Sequence, residues 1–373
     1  MTGVRGPRTS TILLEAVVVD CFHHGVALNR AEIAERTGLS RTVVTSLVKT
    51  LVAKGTLAVV PGAQLAGPGR PAVSYRLSTA VAPVALVRLG DAGTVVTLVS
   101  DAGPGPNVTI AAHPSDACWG RQVRDLLARP QAVESSPVRR VVIAAPFPVA
   151  PRGWGYGDER WPEHVAHELL VRDLNDTEVV LVNDAHLAAL GEAVHGAGEG
   201  ARAGIHLSVR HGIGAGLVFD GKLFTGADGT AGEIAHVQVV PDVPGCGCGN
   251  KGCLASQMQY KEADVALSAL CGRHLTAAEA DALVAAGDPV AVGYYQDLAG
   301  LVARALAGLV TVLAPDALVI DAELGPAHVP FSAALARGLA EHCPPGQLDG
   351  LHLMRGRLSD AQAFGAAAYE PGP

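Results

Sequence analysis

Residues 232–253 read GEIAHVQVVPDVPGCGCGNKGC and contain four candidate metal ligands, which are His236, Cys246, Cys248 and Cys253. Thiolates and an imidazole are the donors of a closed tetrahedral Zn²⁺ site, and the intervening glycines let the backbone turn tightly. With all four positions taken by protein atoms, no position remains for a substrate. The stretch therefore predicts a structural Zn²⁺, the alternative being reduced cysteines without metal.

The sequence on both sides of this stretch alternates between short apolar runs and helical periods. From about Ala82, strands are expected near 84–89, 95–100, 108–112, 138–145, 178–182, 204–209, 216–219 and 318–320. Helices are expected near 120–128, 163–174, 185–195, 259–270, 277–287 and 290–313. This alternation predicts an α/β body, of two lobes and without a repeat visible in the sequence.

The first 80 residues follow a different pattern. Asn29 and Glu32 form a capping-box pair for a short helix, and Thr37-Gly38-Leu39 is a turn. Ser40 then caps an amphipathic helix that runs to about Lys54. Strands are expected at 57–60 and 73–77, with Gly69-Arg70-Pro71 in the loop between them. Together these features predict a winged helix-turn-helix.

The second helix of such a motif enters the major groove of DNA with its N-terminal residues on the base edges. The residues expected there are Ser40, Arg41, Thr42, Thr45, Ser46 and Lys49. Arg70 at the wing tip suits the negative potential of a narrow minor groove. The alternative is a small helical domain that mediates protein contacts.

Charge is distributed unevenly along the chain. Residues 1–78 hold nine Lys and Arg against four Asp and Glu, whereas the remainder holds 19 against 32. A basic head on an acidic body is consistent with a polyanion meeting the head alone. The apolar run Ile12–Cys21 is interrupted by Glu15 and Asp20, which argues against a signal peptide. No uninterrupted apolar run of transmembrane length is present, so we expect a cytoplasmic protein without a membrane span.

The motifs of the body resemble those of the ROK family (repressor, open reading frame, kinase). The resemblance rests on Gly232–His236 with the cysteine stretch, on Asn183-Asp184-Ala185, and on the glycine-rich stretch His211–Gly216. It implies an actin-like, hexokinase-like, two-lobed ROK body behind the winged helix-turn-helix that the repressor branch carries. The expected domains are 1–79 for DNA binding and 80–373 for the body. The first lobe would span about 82–185 plus a C-terminal helix at 358–370, and the second about 186–357.

The resemblance also implies a sugar site. Asn183, Asp184, Glu233 and His236 would bind sugar hydroxyls, because carboxylates, amides and imidazoles accept hydrogen bonds from them. In family kinases the residue matching Asp184 is the general base. His236 would direct one ring nitrogen to zinc and the other to the sugar.

Several positions depart from the kinase pattern. Gly90 and Ala92 replace an Asp and a Gly of the first hairpin, and His211 replaces a phosphate-binding Thr. Asp321-Ala322 replaces a Gly-Gly pair, and Ala255 replaces a sugar-binding Glu. These departures predict that the chain is not an enzyme.

The sequence as a whole predicts a sequence-specific transcription regulator, acting as a repressor, with structural zinc and a sugar-responsive body. Its partners would be a double-stranded DNA operator, a sugar or sugar derivative, and further copies of itself in a homodimer or higher oligomer. Two alternatives stay open, an ATP-dependent sugar kinase with an added DNA-binding domain and a regulator without a sugar effector.

Overall fold

The computed structural model describes residues 14, 17–19, 21–22, 28–53, 57–60, 73–77, 83–90, 93–100, 103–128, 138, 140–149, 162–174, 177–209, 212–241, 245–257 and 263–371. The chain divides into two compact units, Met1–Ala82 and Pro83–Pro373. We call them the head and the body and describe each by itself. Arg70 and His211, both named above, lie outside the described residues.

The elements of the head that lie within the described residues include two helices and three short strands. Its elements are β1 (Leu28–Asn29), α1 (Arg30–Thr37), α2 (Arg41–Ala53), β2 (Leu57–Val60) and β3 (Ser74–Leu77). The strands form an antiparallel sheet in the order β1-β3-β2. Residues 17–19 are also helical.

Local signals set the boundaries of the head helices. The Asn29 side chain accepts hydrogen bonds from the Ala31 and Glu32 amides, and Glu32 accepts from the Asn29 amide at 2.7 Å. The predicted capping box is therefore confirmed. Gly38 ends α1 with φ 67°, a left-handed conformation that glycine adopts without steric cost.

The head core lies between α1, α2 and the sheet. It contains Val18, Phe22, Leu28, Ile33, Val44, Leu47, Val48, Leu51, Leu57 and Tyr75, all nearly inaccessible to solvent. Val43 is 36% exposed because it lies at the edge of the apolar face of α2.

The body contains two five-stranded mixed sheets. The first consists of β4 (Val84–Gly90), β5 (Gly93–Ser100), β6 (Gly103–Ile110), β7 (Arg140–Ala145) and β8 (Glu178–Asn183). The second consists of β9 (Ala203–Ser208), β10 (Gly214–Phe219), β11 (Lys222–Phe224), β12 (Ala317–Ile320) and β13 (His352–Arg355).

The two sheets have the same topology. Their orders are β6-β5-β4-β7-β8 and β11-β10-β9-β12-β13. In each, the first three strands in chain order form an antiparallel meander, and the last two add in parallel beside the first. The body thus contains the same strand topology twice, although the sequence shows no repeat.

Helices cover the sheets. The body helices are α3 (Trp119–Leu127), α4 (Pro162–Asp173), α5 (Asp184–His195), α6 (Leu254–Gln257), α7 (Ala263–Cys271), α8 (Ala277–Ala285), α9 (Pro289–Leu313), α10 (His328–His342) and α11 (Ala361–Ala368). Short 3₁₀ segments lie at Ile234–His236 and Ala322–Ala327. Helices α3 and α4 bury one face of the first sheet, and α9 and α10 pack in the core of the second.

Helices α5 and α11 pack tightly against each other. A Cβ at Gly365 would lie 1.8 Å from the Leu187 carbonyl oxygen, and one at Gly191 would lie 2.0 Å from the Ala361 oxygen. Both positions therefore require glycine. Leu187, Ala363 and Ala366 pack on the first sheet, and Ala189 of α5 lies against Gly216 of the second. This helix pair thus lies between the sheets and supports the site described next.

Among the described helices, α9 is the one long and apolar enough to cross a membrane by length and composition. In the body it is a core helix, with buried residues that include Tyr295, Leu298, Val302, Leu306 and Val310. Its apolar composition is accounted for by that packing.

Candidate functional site

A cleft with a volume of ≈ 1020 Å³ runs between the ends of the two sheets of the body. Its polar lining comes from separate elements. Asn183 and Asp184 lie where β8 meets α5, Glu233 and His236 flank the first 3₁₀ segment, and Ser208 ends β9. Asp321 follows β12, Asp360 precedes α11, and Arg88 lies on β4. The described part of the chain thus brings together all four residues predicted to bind sugar.

Asn183 is buried and held by the protein itself. Its amide oxygen accepts a hydrogen bond from the His186 amide at 3.0 Å, which caps α5, and its amide nitrogen donates to the Phe147 carbonyl at 3.1 Å. These bonds fix the first turn of α5 and therefore the position of Asp184 at its N-terminus.

Glu233 and Asp184 are two carboxyl groups close enough to influence each other. Burial, and next the charge of Asp184, raise the pKa of Glu233 to about 7. Near neutral pH this group therefore exists in both protonation forms, so it can donate as well as accept a hydrogen bond. Such a pair suits a ligand with several hydroxyl groups.

His236 joins the cleft to the cysteine group. Its Nδ1 lies 3.5 Å from Cys246 Sγ, and its Nε2 lies 3.9 Å from Glu233 Oε2. The Gly232 carbonyl accepts from the Ala215 amide, and a Cβ on Gly232 would lie 2.1 Å from the Ala215 oxygen. This close approach to β10 holds the 3₁₀ segment, and with it His236, in place.

The cysteine stretch folds back on itself. The Val239 amide donates to the Gly252 carbonyl at 2.8 Å, and the Cys246 amide donates to the Asn250 carbonyl at 2.7 Å. A Cβ on Gly252, which has φ 69°, would lie 1.7 Å from the Val240 oxygen. The turn therefore depends on glycine at this position, and it brings all three sulfurs to one side.

The donor atoms of His236, Cys246, Cys248 and Cys253 all lie within 4.8 Å of one another, and this group could hold a metal ion. We call it the metal group. Tetrahedral Zn²⁺ with Zn–S of about 2.3 Å and Zn–N of about 2.0–2.1 Å separates sulfurs by about 3.8 Å and sulfur from nitrogen by about 3.5 Å. The structure has 3.7 Å between Cys248 and Cys253 Sγ and 3.5 Å between Cys246 Sγ and His236 Nδ1. The residues present thus fit zinc.

The cleft is also lined by Arg88, Ser208 and Asp360, which the sequence did not single out, beside Asp321, which it did. Arg88 donates to Asp360 Oδ2 at 2.5 Å, and Ser208 Oγ donates to Asp321 Oδ2 at 3.1 Å. The available signals were weak, a lone charge inside the apolar strand VALVRLG and an aspartate before the last helix. Ala255 also lines the cleft.

A family model described as ROK family matches residues 139–367. The chain belongs to the ROK family. Among its relatives, a glucokinase of Halalkalibacterium halodurans is 30% identical over 204 residues, which cover 50% of this chain and 62% of that protein. An N-acetylmannosamine kinase of Citrobacter koseri is 34% identical over 156 residues, 42% and 53% of the two chains. The matches thus span less than two thirds of these relatives.

Two crystal structures extend this ROK comparison. A ROK family transcriptional regulator, described as a homolog of the E. coli MLC protein, has a TM-score of 0.76 at 20% identity and covers 96% of this chain and 95% of its own. At that identity the likeness concerns the fold, and it includes the head. A ROK family glucokinase from Streptomyces griseus, in complex with glucose and AMPPNP, has a TM-score of 0.60 at 25% identity, covering 77% of this chain and 98% of its own.

These relatives contradict the prediction that the chain is not an enzyme. They are named sugar kinases at about 30% identity, and one similar structure was solved with an ATP analogue. The prediction gave too much weight to substitutions at single positions. The cleft keeps Asp184 beside Glu233.

Proposed function

We propose that this ROK protein is a DNA-binding transcription regulator whose body binds a sugar. The observation that carries the proposal is the exposed N-terminal surface of α2. Ser40, Arg41, Thr42, Thr45, Ser46 and Lys49 are all exposed, whereas Val44, Leu47 and Val48 on the opposite face are buried. Short hydrogen-bonding side chains and two cations on one free helix face suit base edges and phosphates in a major groove.

In this proposal the DNA-binding domain, residues 1–79, is a winged helix-turn-helix, and Arg70 belongs to its wing. The helix order, the turn at Gly38 and the β2–β3 hairpin support it. The fold shared with the ROK regulator over 96% of the chain points the same way. We expect a homodimer or higher oligomer on an inverted repeat, because one short helix contacts too few bases for specificity. We expect it to act in the cytoplasm.

The ROK domain, residues 80–373, would be the sugar-binding part. Asn183, Asp184, Glu233 and His236 would bind the hydroxyls, since they line one cleft and offer both donors and acceptors. Zn²⁺ on the metal group would be structural and would stabilise the segment that presents His236. A bound sugar changes operator affinity only by its differential affinity for the two states of the protein, typically about 5–150-fold.

A second candidate function is phosphorylation of the bound sugar. It is supported by the kinase relatives and by Asp184, whose carboxylate lies in the cleft where a general base is needed. Sugar-dependent ADP release in the presence of ATP and Mg²⁺, measured with glucose and N-acetylmannosamine, tests it directly. A protein that has both activities would show turnover and operator binding.

The DNA-binding proposal is tested by selecting bound sequences from a random DNA pool. Ser46→Ala should change the selected sequence at a cost on the order of 1–3 kcal/mol for the preferred base. Lys49→Ala should weaken all sequences alike and reduce the salt dependence by about one phosphate contact. Lys222→Ala, at an exposed position of the body, is the matched control and should bind as wild type. Unchanged affinity and selected sequence in both head variants would refute the docking surface.

A further inference from the structure

Two segments carry the chain between the sheets of the body. Residues 196–202 lead from α5 to β9, and residues 356–360 lead from β13 to α11. The second segment continues directly into the cleft, because Leu358, Ser359, Asp360 and Gln362 line it. Any change in the angle between the sheets must therefore pass through these two segments.

Glu192, in the last turn of α5, binds both segments at once. Its Oε2 accepts a hydrogen bond from the Ala197 amide at 2.6 Å, and its Oε1 accepts from the Leu358 amide at 2.8 Å. The side chain is 1% exposed. A single buried carboxylate thus ties together backbone positions that are far apart in sequence.

The surroundings of Glu192 are shaped for this contact. Gly196 leaves room for the carboxylate, since a Cβ there would lie 2.0 Å from Glu192 Oε2. Arg357 donates to the Gly196 carbonyl, which adds a second tie between the segments. The Gly356 amide donates to the Ile320 carbonyl at 2.8 Å, so the second segment is anchored to β12 just before it reaches Glu192.

Burying a carboxylate costs desolvation free energy, so stability alone does not favour joining two segments through one. No cation within ion-pair distance of Glu192 is found among the described residues, so the two backbone amides are what compensates its charge. Such an arrangement depends on geometry, because moving either amide away leaves the carboxylate uncompensated. It therefore favours one arrangement of the two segments.

A buried histidine is influenced by both Glu192 and a residue of the cleft. His206 on β9 is 4% exposed, and its Nδ1 has no hydrogen-bond partner among the described residues. Burial lowers the pKa of His206, while the charges of Asp321, which lines the cleft, and of Glu192 oppose this shift. The charges of Glu192 and of the cleft residue Asp321 thus act on the same buried histidine.

We propose that Glu192 is a positioning residue for the cleft, which sets the Leu358–Gln362 edge relative to Asn183 and Asp184 by holding the Ala197 and Leu358 amides. It does not contact the ligand itself. The part of this inference that concerns ligand affinity rests on the proposed sugar-binding function, whereas the part that concerns the two segments does not.

The test uses the full chain with Glu192→Gln, which keeps the shape but places an amide NH₂ opposite one of the two backbone donors. Glu341→Gln is the matched control, since Glu341 is an exposed glutamate of α10 that lies outside both segments. Hydrogen–deuterium exchange of peptides covering 196–202 and 355–362 reports on the segments. Glucose and N-acetylmannosamine affinity, by calorimetry, reports on the cleft.

For Glu192→Gln we expect exchange in both segments to accelerate about tenfold or more, with the strands of both sheets protected as in wild type. Affinity for a sugar that the wild type binds should fall about tenfold, and Glu341→Gln should match wild type in both measurements. The proposal would be overturned if exchange in both segments stayed at the wild-type rate, or if it accelerated uniformly throughout the body. It would also be overturned if exchange became faster while sugar affinity stayed unchanged. If the wild type binds neither sugar, the sugar-binding function fails for these compounds, and the exchange result alone decides the role of Glu192.

Discussion

The metal group and the cleft share His236 but are assembled in opposite ways. All ligands of the metal group lie within residues 236–253, and hydrogen bonds inside that stretch bring them together. The cleft draws on residues from Arg88 to Gln362, which meet because two sheets and the helix pair α5–α11 bring them together. A site built from one short segment depends on local conformation, whereas a site built from distant elements depends on the packing of the whole body.

The largest expected effect is on the metal group. Cys253→Ser replaces a thiolate with a hydroxyl that ligates zinc poorly, so the protein should lose its metal. Because structural Zn²⁺ in small domains contributes an apparent 10–16 kcal/mol or so, the body should also melt at a lower temperature. Elemental analysis of protein purified without chelator measures the zinc content. Cys271→Ser, at a partly buried cysteine outside the metal group, should keep it, and equal zinc content in both variants would contradict the assignment.

The next effect concerns the cleft. Asp184→Asn removes the charge but keeps the size of the side chain. Under the proposed kinase function, sugar-dependent ADP release by this variant should be about 10²–10⁴-fold lower than by the wild type. Glucose affinity should fall as well, by the loss of a charged hydrogen bond worth about 1.5–3 kcal/mol. Zinc content should not change, which separates the two sites. Asp220→Asn, in an exposed turn with φ 49° that asparagine tolerates, is the control, and turnover and affinity equal to wild type in Asp184→Asn would remove Asp184 from the site.

The smallest effect tests the packing beneath the cleft. Gly365→Ala places a methyl group against the Leu187 carbonyl and should destabilise the body by about 1–3 kcal/mol. Gly308→Ala, on α9 where a Cβ meets nothing within 4 Å, should instead stabilise it by up to about 1 kcal/mol. Urea unfolding of the two variants gives the comparison. Equal urea midpoints for the two variants would mean that α5 and α11 pack less closely at Gly365 than the structure shows.

Features set by residues close together in the sequence were predicted, whereas features set by distant contacts were not. The capping box at Asn29, the turn at Gly38 and the clustering of His236 with the cysteines depend on residues a few positions apart, and the structure has all of them. Strand β13 and helix α10 were not predicted, and neither were Arg88 and Asp360 as cleft residues. A strand of four residues such as His352–Arg355 carries little pattern of its own and forms beside β12 because the sheet offers it a partner.

The sequence by itself determined the family, the helix boundaries of the head and the composition of the metal group, because caps, turns and closely spaced ligands act over a few residues. The tertiary structure alone decided that two sheets of different sequence share one topology, that Gly191 and Gly365 let α5 and α11 meet, and that Glu192 holds two distant amides. The physical reason is that these contacts join positions separated by up to 178 residues, as for Gly365 and Leu187, and no local pattern encodes which distant backbone atom a side chain will reach.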